Sequence, residues 1–269
     1  MSRPLPGRLV LLGHPVAHSR SPLFQNAALR AAGIPLVYET MDVAPDDLPR
    51  ALALLREANA CGNVTIPHKE AFASRCARLT AIAERCAAAN TFWHEQGDLV
   101  GDNTDVGGVD AIALALLGPQ RNTATVALIG AGGSAAAVLA AAEGWGNARV
   151  RLYNRNMDRA DSLARRFGSV TSVAPSIGSA LDGATLVVNA TPVGLRDDAH
   201  PVPISELPPG AAVFDLAYRA GETSWVRAAR DAGHRAADGE GMLVEQGALS
   251  FERWFGVEPD RDAMWRAMR

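Results

Sequence analysis

The stretch VALIGAGGSAAAVLAAA, residues 126–142, decides the fold. Val126 to Ile129 form a short apolar run of the kind buried strands use, and Ser134–Ala142 reads as a helix. Between them stands G-x-G-G-x-A, at Gly130, Gly132, Gly133 and Ala135. A dinucleotide loop needs a first glycine for the tight turn and a second so that backbone can approach pyrophosphate. A third small residue lets helix and strand pack closely. The phosphates then meet free N–H groups at the helix start. The turn Gly130, Ala131, Gly132, Gly133, Ser134 and Ala135 is therefore read as cofactor-binding. A structural turn without a ligand is the plain alternative.

The next strand, Arg149–Tyr153, runs into Asn154-Arg155-Asn156, with Arg159 one helical turn further on. NAD sites place Asp or Glu here for the ribose 2′-hydroxyl. This chain has no carboxylate until Asp158. Arginine at this place would pair with a 2′-phosphate, so the cofactor reading is NADP; a solvated charge pair is the alternative. Strand and helix signals then alternate through Met157–Phe167, Ser169–Val173, Thr185–Asn189, Ala212–Leu216, Trp225–Ala232 and His234–Ala237. That rhythm predicts a parallel, doubly wound sheet of the Rossmann type.

Upstream, strands are expected at Arg8–Leu12, Leu36–Val43 and Cys61–Thr65. Helices are expected at Pro22–Ala32, with Ser21 as N-cap, at Pro45–Ala58, at Ala77–Ala88 and at Asp105–Leu117. Pro67 starts another helix, which places Lys69 in its first turn. A hairpin is expected around Glu95-Gln96-Gly97-Asp98, a polar linker over Gln120–Thr125, and an amphipathic helical segment over Met242–Arg269.

The chain has 269 residues, 48% of them apolar, and a formal net charge of −3. That excludes a disordered chain and leaves room for about two domains. A sequence pI near 6.1 gives no electrostatic footprint for a nucleic acid partner. Cys61, Cys76 and Cys86 are odd in number and form no C-x-x-C pair. A reducing cytoplasm fits them better than a disulfide framework. Neither a signal segment nor a membrane span is read, and the six histidines form no ligand cluster, so no metal is expected. Lys69 is the only lysine beside 25 arginines. Arginine cannot give up its proton at workable pH, whereas lysine can be tuned to do so; chance retention is the bland reading.

Polar clusters follow the strands of the first half: His14 to Pro22, Asn63 to Lys69, Asn90-Thr91, and Gly101 to Asp105. Ligands of open α/β sheets bind beyond the carboxyl ends of strands. Ser19, Ser21, Thr65, amides and a Lys/Asp couple would suit a small polyhydroxylated acid. Each has a local alternative: Ser21 and Asp105 as helix caps, Asn90 as a turn residue.

Taken together, the chain resembles the shikimate dehydrogenase family over nearly its whole length. The resemblance rests on H-S-x-S-P at His18–Pro22, N-V-T-x-P-x-K at Asn63–Lys69, Asn90-Thr91 and N-T-D-x-x-G at Asn103–Gly108. It continues with G-A-G-G at Gly130–Gly133, N-A-T-P-x-G at Asn189–Gly194, Asp215-Leu216-Ala217-Tyr218 and G-M-L-V-x-Q-G at Gly241–Gly247. It implies a two-domain α/β protein. An N-terminal α/β substrate domain spans 1–105 and, discontinuously, 240–269; a Rossmann-type doubly wound NADP-binding domain spans 106–239.

The resemblance further implies that Ser19 and Ser21 bind the substrate carboxylate. Thr65, Asn90 and Gln246 would bind ring hydroxyls with Lys69 and Asp105, with Asn63 nearby and Tyr218 beside the substrate. Asn154 and Arg155 would lie near the adenosine phosphate, Thr191 and Leu216 along the cofactor, and Gly239 and Met242 near the nicotinamide. The implied reaction is reversible, NADP-dependent reduction of 3-dehydroshikimate, a cyclohexene carboxylic acid of chorismate and aromatic amino acid biosynthesis. Lys69 and Asp105 would exchange the proton in a monomer or homodimer. Ala87-Ala88-Ala89, Asn156, Ala220 and Gln25 depart from the family's usual residues. They keep quinate or aminoshikimate dehydrogenase open as alternatives. A non-catalytic NADP-binding regulator is the reading from a different class; it predicts degraded polar positions, and these are intact.

Overall fold

A computed structural model describes residues 5–219 and 221–269, so Ala220 lies outside the described residues. The chain forms two compact units, Met1–Asp105 with Leu243–Arg269, and Val106–Met242.

The first unit contains β1 (Leu9–Gly13), α1 (Ser21–Ala31), β2 (Tyr38–Asp42), α2 (Leu48–Glu57), β3 (Cys61–Val64), α3 (Lys69–Ala73) and β4 (Arg78–Leu79). Then come α4 (Ala81–Cys86), β5 (Thr91–Glu95) and β6 (Asp98–Asp102). α5 (Asp105–Leu117) opens on the last residue of this unit. The sheet order is β2-β1-β3-β5-β6-β4. β1 pairs in parallel with β2 and β3, whereas β5 runs antiparallel to both β3 and β6. The β5–β6 hairpin turns at Gln96 (φ 55°) and Gly97 (φ 88°), both left-handed as a tight two-residue turn requires. β1 is apolar throughout because both its faces are covered. Leu9 and Leu11 join Phe24, Tyr38, Phe251 and Trp254 on one side; Val10 and Leu12 join Leu48, Leu55, Phe72 and Phe92 on the other.

The second unit contains β7 (Thr125–Ile129), α6 (Gly133–Glu143), β8 (Arg149–Tyr153), α7 (Met157–Arg166), β9 (Thr171–Val173) and α8 (Ile177–Leu181). These are followed by β10 (Leu186–Asn189), β11 (Ala212–Asp215), α9 (Ser224–Asp231) and β12 (Ala236–Ala237). All six strands are parallel, in the order β12-β11-β10-β7-β8-β9. The order reverses between β7 and β10, the doubly wound arrangement with its switch point at the first strand. α10 (Gly239–Phe255) begins in this unit and ends in the first, and α11 (Arg261–Met268) closes the chain.

Several local expectations are corrected. Ala77–Ala88 is not one helix: Arg78–Leu79 pairs with β6, and Thr80 then caps α4 by accepting from Ala83 N–H. Pro45–Asp47 is a 3₁₀ turn ahead of α2, and the expected linker contains a 3₁₀ turn at Gly118–Thr123. Ser21 is not the cap of α1 but its first residue; Arg20 holds the cap position without a side-chain capping bond, its guanidinium donating instead to Met268 O. α8 escaped the sequence reading, although Ser176 and Ser179 form a capping box before it.

Candidate active site

β3 ends at Val64, and the chain turns through Thr65 to His68 before α3 begins on Lys69. Buried His68 holds this turn: its Nε2 lies 2.7 Å from Val43 O, and its N–H donates to Thr65 O. Lys69 Nζ donates to Asp105 Oδ2 at 2.5 Å. The lysine side chain is 18% exposed and the carboxylate 6%, so one end of the pair is open and the other enclosed. Asp105 Oδ1 accepts from Asn90 Nδ2 at 2.8 Å. Both carboxylate oxygens are thus engaged by side chains, which is more than a helix cap requires.

Asn90 ties further residues to the couple. Its Oδ1 accepts from Thr104 N–H at 2.7 Å, which fixes which way the amide faces. Its Nδ2 then reaches Gln246 Oε1 at 3.0 Å as well as Asp105. Asn63 Nδ2 donates to Asn90 O at 3.1 Å and to Ser250 Oγ at 2.8 Å, while Tyr38 donates to Asn63 Oδ1 at 2.8 Å. Lys69, Asp105, Asn90, Gln246 and Asn63 therefore share one network. Thr65, Ser19 and Ser21 stand outside it. Ser19 Oγ accepts from Ser21 N–H at 3.2 Å. Among the described residues, the hydroxyls of Ser21 and Thr65 make no hydrogen bond, so they are available to a ligand. Sequence reasoning missed Tyr38 and Ser250, and it gave Thr104 no role of its own within the Gly101–Asp105 cluster. The signal for Ser250 was its place one helical turn after Gln246.

In the second unit, Gly130 has φ 111°, and a Cβ there would stand 2.8 Å from Ala190 O. Only glycine suits both demands. Nothing lies within 4 Å of a Cβ built on Gly132 or Gly133. α6 starts at Gly133 with no side-chain cap and no acidic residue in its first turn. Its leading amides therefore receive no side-chain acceptor from the cap position. At the end of β8, Asn154 Nδ2 donates to Asn156 O, and Asn156 caps α7 by accepting from Arg159 N–H. Arg155 and Arg159 are exposed and make no ion pair among the described residues. A pyrophosphate over α6 and an extra phosphate beside these arginines fit this chemistry.

Thr191 donates to Asn189 Oδ1 at 2.6 Å, and Asn189 Nδ2 donates to Asp215 Oδ1 at 2.8 Å. Burial pushes the Asp215 carboxyl above its ordinary range against these hydrogen bonds. Gly239 packs on the preceding loop; a Cβ there would sit 2.3 Å from Leu216 O. Met242 is buried, whereas Leu216 and Tyr218 are half-buried after β11.

Asp238, which accepts from Glu240 N–H, is pushed up to about 6, chiefly by burial and also by Glu240, Asp215 and Glu222. Between the ordinary carboxylate pKa and 6 the folded chain keeps a proton that the unfolded chain releases. Stability is therefore expected to fall as pH rises through that window. Asp238→Asn should raise the thermal midpoint at pH 8 by about 2–4 °C and leave it unchanged at pH 4. An equal shift at both pH values would assign the effect to packing rather than charge.

Among the described residues, no group of His, Cys, Asp and Glu is placed to hold a metal ion, and no helix is long and apolar enough to cross a membrane.

Residues 11–92 match the shikimate dehydrogenase substrate binding domain, and residues 239–269 match the shikimate 5′-dehydrogenase C-terminal domain. The chain is 40% identical over 261 residues to the shikimate dehydrogenase (NADP(+)) of Mesorhizobium japonicum, covering 95% of this chain and 93% of that protein. It is 41% identical over 267 residues to the protein of the same name from Rubrobacter xylanophilus, covering 96% and 94%. Among solved structures, shikimate 5-dehydrogenase from Thermus thermophilus, in complex with NADP(H) and shikimate, superposes with a TM-score of 0.89. That protein is 38% identical, with 97% of this chain and 98% of that chain covered.

Proposed function

The chain belongs to the shikimate dehydrogenase family, and from that premise we propose that it reversibly reduces 3-dehydroshikimate to shikimate with NADPH. It is an oxidoreductase acting on a secondary alcohol and its ketone. The observation that carries this reading is the Lys69–Asp105 couple held by Asn90 beside Gln246. A regulator that had lost catalysis would have no need to keep a lysine and a carboxylate in this enclosed contact.

The loop from Gly130 to Ala135 would hold the dinucleotide phosphates, with Thr191, Leu216, Gly239 and Met242 further along it. Asn154, Arg155 and Arg159 would take the adenosine phosphate. When bound, the reduced nicotinamide supplies the hydride. Everything else falls to the chain's own groups. Ser19 and Ser21 offer hydroxyl hydrogens to the substrate carboxylate. Thr65 Oγ1 and the Gln246 amide take ring hydroxyls. Lys69 Nζ spends one N–H on Asp105 and has two left for the ring oxygen that turns from carbonyl to alcohol. It stabilises negative charge developing on that oxygen and passes it a proton; in the reverse direction it takes the proton back. Asp105, with both oxygens occupied, orients the amine. This assigns the proton to Lys69 and the positioning to Asp105.

The test is steady-state turnover of the purified protein with 3-dehydroshikimate, shikimate and quinate, each with both nicotinamide cofactors. NADPH oxidation that depends on 3-dehydroshikimate is expected, with NADH at least about tenfold poorer. Arg155→Ala should raise KM for NADPH by about tenfold or more and leave KM for NADH nearly unchanged, because a charge-assisted phosphate contact is lost. Faster turnover of quinate than of shikimate would overturn the substrate, and equal use of NADH would overturn the cofactor.

A further inference from the structure

Ser250 is fully buried, so it touches neither solvent nor ligand. Its hydroxyl nevertheless meets three polar partners. It accepts from Asn63 Nδ2 at 2.8 Å, lies 2.9 Å from Thr104 Oγ1 and reaches Gln246 O at 2.9 Å. We propose that Ser250 is a positioning residue for the Lys69–Asp105 couple, acting by occupying Thr104 so that Asn90 gives its hydrogens to Asp105 and Gln246. This rests on the proton-transfer reading given above.

Asn90 Nδ2 carries two hydrogens, yet three acceptors stand in reach: Asp105 Oδ1 at 2.8 Å, Gln246 Oε1 at 3.0 Å and Thr104 Oγ1 at 3.0 Å. Which two are served depends on Thr104. If Thr104 Oγ1 accepts from Ser250 and donates to Asn90 Oδ1, 3.1 Å away, it makes no demand on Nδ2. Asn63 favours that arrangement. Tyr38 fixes the Asn63 amide through Oδ1, so Nδ2 must point a hydrogen at Ser250, which turns the serine's own hydrogen elsewhere. Gln246 O already stands in the backbone ladder of α10, so Thr104 Oγ1 is the acceptor in greater need. The bonds then run in one direction, Tyr38 to Asn63 to Ser250 to Thr104 to Asn90 to Asp105. Without the Ser250 hydroxyl, Thr104 Oγ1 becomes a vacant acceptor. It competes for an Asn90 hydrogen, and Asp105 is free to rotate away from its contact with Lys69.

The experiment pairs Ser250→Ala with Thr104→Val. Ser250→Ala alone is expected to lower kcat about tenfold at unchanged KM for NADPH. Adding Thr104→Val removes the competing acceptor and should restore most of the lost kcat. A purely structural role would make the double variant worse than either single one. A Ser250→Ala enzyme within about twofold of the parent, or a double variant no better than Ser250→Ala, overturns the proposal. A second readout needs no substrate. Hydrogen exchange of the Asn90 side-chain amide, followed by NMR in the unliganded protein, should quicken about tenfold in Ser250→Ala. Unchanged exchange overturns the proposal even if the parent fails to reduce 3-dehydroshikimate, so the two readings fail separately.

Discussion

Replacing Lys69 with arginine is expected to lower kcat by about 10²–10⁴-fold while moving KM for NADPH little. The substitution keeps the positive charge beside Asp105 and replaces the amine with a guanidinium, which does not give up its proton. Geometry adds to the effect. The Lys69–Asp105 contact is 2.5 Å, and the lysine side chain is only 18% exposed, so a planar guanidinium must displace its neighbours to enter. Steady-state kinetics with 3-dehydroshikimate give the answer, and binding of NADPH followed by fluorescence shows whether the second unit is intact. Turnover near that of the parent would remove proton transfer from Lys69 and leave it as a charge alone.

Gly62→Ala is expected to abolish folding of the first unit, or to cost about 4 kcal/mol or more where folding survives. Gly62 lies in β3, paired with Val10 of β1 on one side and Phe92 of β5 on the other. A Cβ there would stand 1.9 Å from Val10 O and 2.8 Å from Val10 C, both backbone atoms in the centre of the sheet. They cannot move without breaking the strand pairing that carries Asn63 and, beyond it, Thr65 and Lys69. Circular dichroism during denaturant unfolding would read the loss as an early transition. An unfolding curve like the parent's would mean that the two strands separate more readily than their burial implies.

The glycine loop was legible because its demands are local. Strand, turn and helix lie within residues 125–143, and each glycine answers one requirement. α5 was read to its terminal residues for the same reason: Asp105 opens it, and Gly118 with φ 58° ends it. Ala77–Ala88 misled because alanine-rich composition favours a helix while tertiary pairing decides the outcome; Arg78–Leu79 is claimed by β6. In the site, Lys69 stood out as the sole lysine, and Asp105 as the end of a polar cluster. Tyr38 gave no such signal, and Ser250 only its place one helical turn after Gln246. Their bonds to Asn63 span 25 and 187 residues, and no short-range pattern encodes a partner that distant. Ser21 shows the converse: local rules predicted a cap, whereas the structure leaves its hydroxyl free among the described residues.

The solitary ε-amine has a practical corollary. Acylating or carbonyl reagents that seek lysine find a single such side chain in 269 residues. Uptake of label at that nitrogen therefore counts molecules in which the Lys69 amine is accessible, and a ligand that shields it can be titrated by mass spectrometry as lost label, with no chromophore and no coupled assay.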